Sequence, residues 1–169
     1  GHKLRAQSDA IMVGINTVMA DDPSLTVRGP ASYGLKRYPT RIIVDSHCRI
    51  SPDSAIFNDD KPILIATAQE KVRSGSYVGA EVMSFPSKVN TKVDLDGLLK
   101  YLGSEMITSV LVEGGSELIG SLFDLGLVDK VVAFFSPSII GGRTAVTAIG
   151  GEGCLNISDV KKLIDVSCD

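Results

Sequence analysis

Four short runs of branched and aliphatic residues recur along the chain: Ala10–Gly14, Arg41–Val44, Ile63–Ala66 and Val110–Glu113. Their near-continuous apolar character sets them apart from strands wetted on one face, which alternate apolar and polar residues. It fits strands covered on both faces, as in a largely parallel sheet. Val131–Phe135 is expected to add a further strand and Ala80–Ser84 a weaker one. Between the strands, Asp94–Leu102 is expected to be helical, with Leu95, Leu98, Leu99 and Leu102 on one face and Gly103 closing the end. Ser116–Leu125 is a second helix, with Leu118, Ile119, Leu122 and Phe123 on one face and Gly126 just past its end. Turns are marked by Asp22-Pro23, Arg28-Gly29-Pro30, Ser51-Pro52-Asp53-Ser54 and Gly141-Gly142. There is no internal repeat, low-complexity tract or linker. The expectation is a single α/β domain over residues 1–169, a mostly parallel sheet with helices on both faces. The register of the sheet does not follow from the sequence.

Composition narrows the function classes. Of 169 residues 44% are apolar, enough for a full core, and a formal charge of −3 leaves no basic surplus for a phosphate backbone. Nucleic acid is therefore not an expected partner. No apolar run approaches the roughly 18–20 residues of a membrane span, and no secretory signal is visible. Cys48, Cys154 and Cys168 are odd in number and widely spaced, so they read as reduced thiols of a cytoplasmic protein and not as a disulfide framework or zinc site. With only His2 and His47 present, neither a metal-ligand spacing nor a Ser-His-Asp or Cys-His set can be assembled.

Four segments can carry chemistry. In Val112-Glu113-Gly114-Gly115-Ser116 a buried strand ends, two glycines follow and a helix begins. Unpaired N–H groups at that helix start suit a phosphate, with Glu113 at the mouth of the same cleft. A tight strand-to-helix turn with a solvated Glu113 is the plainer reading, and the G-x-G-x-x-G fingerprint is absent. The segment Val13–Arg28 crowds polar groups behind a buried strand. There Thr17 and Asp21 can hydrogen-bond a cofactor and Arg28 can take an anion, although Asp21-Asp22-Pro23 alone reads as an Asx-turn. Asp45-Ser46 ends another strand, where either a nucleotide contact or a turn fits. The glycines of Ile139–Thr144 and Gly150–Gly153 mark close backbone approach, over a cofactor or within ordinary loops.

Taken together, HKLRAQSDAIMVGINTVMADDPSLTVR, RIIVDS, VLVEGGSELIGSLFDLGLVDKV and PSIIGG resemble, in order and over nearly the whole chain, the pyrimidine reductases of riboflavin biosynthesis. These have a dihydrofolate-reductase-like fold. The G-x-N-T-V-x-x-D-D-P-S-L-T-V-R block is the most specific element of the match. The resemblance implies an NADPH-dependent oxidoreductase that converts the ribosylamino group of a phosphoribosylamino-pyrimidine to ribitylamino. Hydride passes from the nicotinamide to C1′ of an opened, imine-like ribosyl chain. It also implies cofactor contacts from Thr17, Asp21 and Ser46, and from Gly114, Gly115, Ser116, Glu117, Leu118, Ile119, Gly120 and Ser121. Arg5, Leu25, Arg28 and Glu113 fall where the family holds its substrate, the two arginines suiting its 5′-phosphate. Glu113 is the candidate for proton handling or imine polarisation.

The resemblance further implies a homodimer, with VVAFFSPSII either at the interface or in the core. It implies an opening strand bearing S-L-D-G-K or T-L-D-G-K before Gly1, with a catalytic Lys unmatched here, and closing strands after Asp169. No H-x-E or P-C-x-x-C element is present, so these residues encode no zinc deaminase. The stand-alone archaeal or fungal type, acting on the 2,5-diamino-pyrimidinone, is therefore the expected form. The reductase half of a bacterial deaminase–reductase acting on the deaminated uracil is the alternative. A reductase of another substrate such as a dihydropterin, or a nucleotide-binding domain without catalysis, stands further off.

Overall fold

The computed structural model describes residues 1–70, 77–89, 91–139, 141–145 and 147–168. Five strands form one sheet: β1 (Ala10–Gly14), β2 (Thr40–Val44), β3 (Ile63–Thr67), β4 (Glu81–Ser84) and β5 (Val110–Val112). The order is β4-β3-β2-β1-β5, and each neighbouring pair is parallel. In register, Ala10 lies opposite Thr40 on one side and Val110 on the other, so the carboxyl ends of β1, β2 and β5 reach one pole together.

Alternation along the strands divides the core in two. Ala10, Met12, Ile42 and Leu64 point to one face, where Leu95, Leu98 and Leu102 of α3 (Leu95–Ser104) and Leu118 and Leu122 of α4 (Ser116–Asp124) cover them. Ile11, Val13, Ile43 and Ile65 point to the other. There they meet Ile15 and Val18 of α2 (Ile15–Asp21), which follows α1 (His2–Gln7) in the chain, together with Leu25, Ile50 and Ile56 from the connecting loops. Both faces are closed, which is why the strand sequences lack alternation.

Two helix ends show the same stop in different chemistry. In α4 the N–H of Leu127 donates to the carbonyl of Leu122 at 2.9 Å, with Gly126 in the left-handed region at φ 69°. In α3 the N–H of Ile107 donates to the carbonyl of Leu102 at 3.0 Å, but Met106 holds that conformation at φ 62°. Gly103, expected to close α3, instead lies inside it, and the chain stops one turn position later.

The expected strand Val131–Phe135 does not form. Phe134 and Phe135 are exposed, and β5 has β1 as its one strand partner among the described residues. An apolar run becomes a strand only where it docks on an edge that takes its N–H and C=O groups and a face receives its side chains. The outer edge of β5 stays unpaired among the described residues, and the 131–135 side chains find no face. Ile140 of the PSIIGG block lies outside the described residues.

Candidate active site

The strand order places a topological switch between β1 and β5, one strand in from the edge of the sheet. From β1 the chain proceeds outward through β2, β3 and β4, then returns to lay β5 on the other side of β1. In open α/β sheets the crevice beyond such a switch is where ligands bind, because the two connections leave in opposite directions and open a gap. Here the gap is flanked by Gly14-Ile15-Asn16-Thr17 after β1 and Glu113-Gly114-Gly115 after β5.

The β5 side of that gap is built from backbone. Gly114 and Gly115 both have positive φ, 77° and 83°, turning the chain from strand to helix in two residues. A side chain on Gly115 would put its Cβ 3.2 Å from Thr17 Oγ1, so the glycine lets the turn lie directly against Thr17. α4 starts from Gly115 without a side-chain cap. Its leading N–H groups and positive dipole end are thus presented beside Thr17, where a pyrophosphate fits.

Of the other residues expected along α4, Glu117 is exposed and Ile119 and Ser121 are half-buried. The Leu118 side chain belongs to the core, and Gly120 lies beneath Gly150 and Gly151. The Gly150–Gly153 glycines therefore mark close approach to α4. The Gly150 N–H donates to the Ser116 carbonyl at 2.9 Å, and the N–H groups of Glu152 and Gly153 donate to the Asp124 carboxylate at 2.8 and 3.2 Å.

The β1 side carries the charged groups. Arg5, on the short helix His2–Gln7, grips Glu113 through Nε to Oε1 at 2.8 Å and Nη2 to Oε2 at 2.5 Å, and donates through Nη1 to the Thr26 carbonyl at 2.9 Å. Arg28 is exposed and, among the described residues, its side chain is held by neutral hydroxyls, with Nε donating to Thr26 Oγ1 at 2.9 Å and Nη2 to Ser24 Oγ at 2.6 Å. Leu25, between them, is buried with a left-handed backbone at φ 51°. That costly conformation persists where the surroundings over-determine it.

Asp21 ends its helix, exposed. Asp22 is a turn residue whose Oδ1 accepts the Ala55 N–H at 2.8 Å. Ser46 lies just beyond β2, its Oγ accepting the Val93 N–H at 3.2 Å. Among the described residues no group of three His, Cys, Asp or Glu side chains converges as a metal site would require.

Sequence reasoning missed the Arg5–Glu113 pair, whose members are 108 positions apart, and the buried Arg41. Arg41 donates through Nη1 to the Ile56 carbonyl at 2.8 Å and the Ser24 carbonyl at 3.2 Å. Through Nη2 it donates to Asp59 Oδ1 and the Lys61 carbonyl, both at 2.7 Å. Burial pulls the Arg41 guanidinium down from its ordinary range, against the pull of Asp59. Burial pushes the Asp59 carboxyl up, but Lys61 and Arg41 together hold it below the usual value. The signal was a charged residue opening an otherwise apolar strand. Two surface hollows, of about 450 and 280 Å³, sit at the opposite pole around Arg37, Tyr38, Pro62 and Tyr101. Neither hollow is lined by Arg5, Thr17, Arg28 or Glu113, and the switch point is the chemically equipped site.

Comparison with known proteins decides the family. The family model for the RibD C-terminal domain matches residues 1–169. The chain belongs to the RibD C-terminal domain family. It is 40% identical to the 2,5-diamino-6-ribosylamino-4(3H)-pyrimidinone 5′-phosphate reductase of Archaeoglobus fulgidus, covering 95% of this chain and 76% of that protein. The reductase of the same name from Methanothermobacter thermautotrophicus is 41% identical over 96% of this chain and 74% of its own length. Among solved RibD-type structures, Acinetobacter baumannii RibD superimposes with a TM-score of 0.80 at 23% identity, covering 95% of this chain and 43% of that one, and shares the fold. The Saccharomyces riboflavin biosynthesis reductase Rib7 gives a TM-score of 0.57 at 28% identity, covering 72% of this chain and 55% of its own. The RibD C-terminal domain thus spans about three quarters of the archaeal reductases and under half of that RibD chain.

Proposed function

We propose that this RibD C-terminal domain reduces the ribosylamino group of a phosphoribosylamino-pyrimidine to ribitylamino, using NADPH, as a step of riboflavin biosynthesis. The observation that carries the reading is identity of 40% across three quarters of an archaeal reductase with that substrate in its name. The crevice chemistry agrees with it. The Gly114-Gly115 turn, Thr17 and the uncapped start of α4 form a cradle that fits a dinucleotide pyrophosphate. Asp21, Ser46 and the stretch Ser116–Ser121 are the remaining proposed cofactor contacts. When bound, the nicotinamide supplies the hydride, so the chain's own task is placement and charge.

Arg28 offers its guanidinium to the substrate phosphate, since among the described residues only neutral hydroxyls occupy it. Leu25 packs beside the sugar, and the Glu113 carboxylate faces the exocyclic nitrogen and holds it protonated. Cationic nitrogen makes C1′ a better hydride acceptor, so an acid at this position accelerates the step without forming a bond.

The substrate is the diamino compound, as the archaeal relatives' names support. The deaminated uracil is the second reading, because a Thermotoga maritima deaminase/5-amino-6-(5-phosphoribosylamino)uracil reductase of known structure is 28% identical, covering 73% of this chain and 32% of its own, with a TM-score of 0.58. The enzyme works as a cytoplasmic homodimer. Exposed Val131, Val132, Phe134 and Phe135 form the kind of apolar stretch that a partner covers. No helix among the described residues is long and apolar enough to cross a membrane.

The test is consumption of reduced nicotinamide, followed by absorbance, with each phosphorylated pyrimidine in turn and with NADPH or NADH. Oxidation that needs the diamino substrate and favours NADPH is expected. Absence of substrate-dependent oxidation refutes the reading, and preference for the uracil moves the enzyme to the second one.

A further inference from the structure

We infer that Arg5 is a positioning residue for Glu113, an inference that rests on the proposed reductase reading. A guanidinium has five N–H donors in a rigid plane, and Arg5 commits three of them: two to the two oxygens of Glu113 and one to the Thr26 carbonyl. The paired side chains are 17% and 25% exposed, so the contact is partly shielded from water. The fork–fork arrangement fixes the plane of the carboxylate as well as its position, which a lysine at this site would not do. Arg5 thereby ties together the first helix, the end of β5 and the Ser24–Arg28 loop.

Electrostatics separates Arg5 from Arg28. The Arg5–Glu113 pair is neutral as a unit, and a substrate phosphate set against Arg5 would also face the Glu113 carboxylate. Arg28 carries a cation with no acidic partner among the described residues and is the better seat for the anion. Two N–H groups of Arg5 remain for a substrate hydroxyl, so a contact there is compatible with the clamp. What the clamp adds is rigidity: an unheld glutamate spreads over several rotamers, and displacement of a reacting group by about 1 Å costs on the order of 100-fold in rate.

The experiment is a pair of double-substitution cycles on Arg5→Gln and Glu113→Gln, one in kcat at saturating substrate and one in thermal melting. The clamp predicts that Arg5→Gln lowers kcat roughly 10–100-fold and adds little once Glu113→Gln is present. Arg5→Lys is expected to recover only part of the loss. The double variant is expected to melt no lower than the worse single one, with NADPH affinity unchanged throughout. The inference is overturned if Arg5→Gln keeps kcat within about twofold and raises only KM, or if the two effects multiply. Should Arg5→Gln not fold, Arg5→Lys is compared with and without Glu113→Gln by the same criteria. Absence of turnover in the parent protein would refute the reductase reading, while the melting cycle still judges the clamp: additive losses in melting temperature overturn it.

Discussion

Replacing Arg41 by Met is a severe test of how the loops around the crevice are held. Arg41 is 1% exposed, its Nε is buried without a partner among the described residues, and its other nitrogens serve one carboxylate and three carbonyls. Met fills much of the same volume but donates nothing. Asp59 keeps the Lys61 N–H at 3.1 Å and the Lys61 Nζ at 2.9 Å, and its side chain is 26% exposed, so it is not stranded. The loss falls on the carbonyls of Ser24, Ile56 and Lys61. A buried acceptor left unpaired costs about 1–3 kcal/mol, and removing the desolvated guanidinium returns part of the total. A net destabilisation of about 3–5 kcal/mol follows. At roughly 2–4 °C per kcal/mol for a chain of this size, the melting temperature should fall by about 6–20 °C. Urea unfolding followed by circular dichroism measures it, with an unchanged slope showing that the same surface unfolds. Asp59→Asn should cost less, about 1–2 kcal/mol, since the three carbonyls still hold the cation. Some buried ion pairs are improved by apolar replacement. If Arg41→Met is neutral or stabilising, the cation is no anchor and the loops hold themselves.

Three further outcomes are expected. Gly120→Ala places a Cβ against the backbone of Gly150 and Gly151, so the 150–153 loop must lift from α4 and the Asp124 contacts must break; faster proteolytic cleavage near Gly150, with the sheet intact, is the readout. Met106→Gly relieves a left-handed backbone that a Cβ penalises by about 1–2 kcal/mol, and after the entropy of glycine a gain of up to about 1 kcal/mol in thermal unfolding should remain. Asp9 receives the Thr108 hydroxyl and N–H and the Ser109 hydroxyl, which hold its carboxyl below the usual 3.8. The unfolded chain therefore takes up its proton first as pH falls. Asp9 supports the fold above that value and loses this effect as pH drops through the folded one. Asp9→Asn should melt lower than the parent at neutral pH, and the gap should narrow under acid.

Much of the scaffold was legible in the residues because burial on both faces leaves a direct mark. Ala10–Gly14 could be read as a covered strand without knowing its neighbours, since a parallel strand between two layers has no face for polar side chains. Gly126 was equally readable, because a left-handed residue past a helix end favours glycine. Met106 was not, as it occupies the same conformation with no special chemistry to show for it. Val131–Phe135 misled for the opposite reason: it has the composition of a strand, and composition does not dock the run on an edge or give its side chains a face. The Glu113-Gly114-Gly115 turn stood out as a candidate, while Arg41 gave only the hint of a charge at the head of an apolar run.

By itself the chain determined most of its strands and helices, Val131–Phe135 excepted, and the ordered motifs of its family, because these depend on local pattern. Only the tertiary structure decided that β5 returns beside β1, and this brings the Gly114-Gly115 turn against Thr17. It likewise decided that Arg5 meets Glu113 and that Arg41 meets Ser24 and Asp59. Strand order and long-range ion pairs are set by how whole layers pack and which charges must be paired when water is excluded. No window of sequence contains both partners of such a contact.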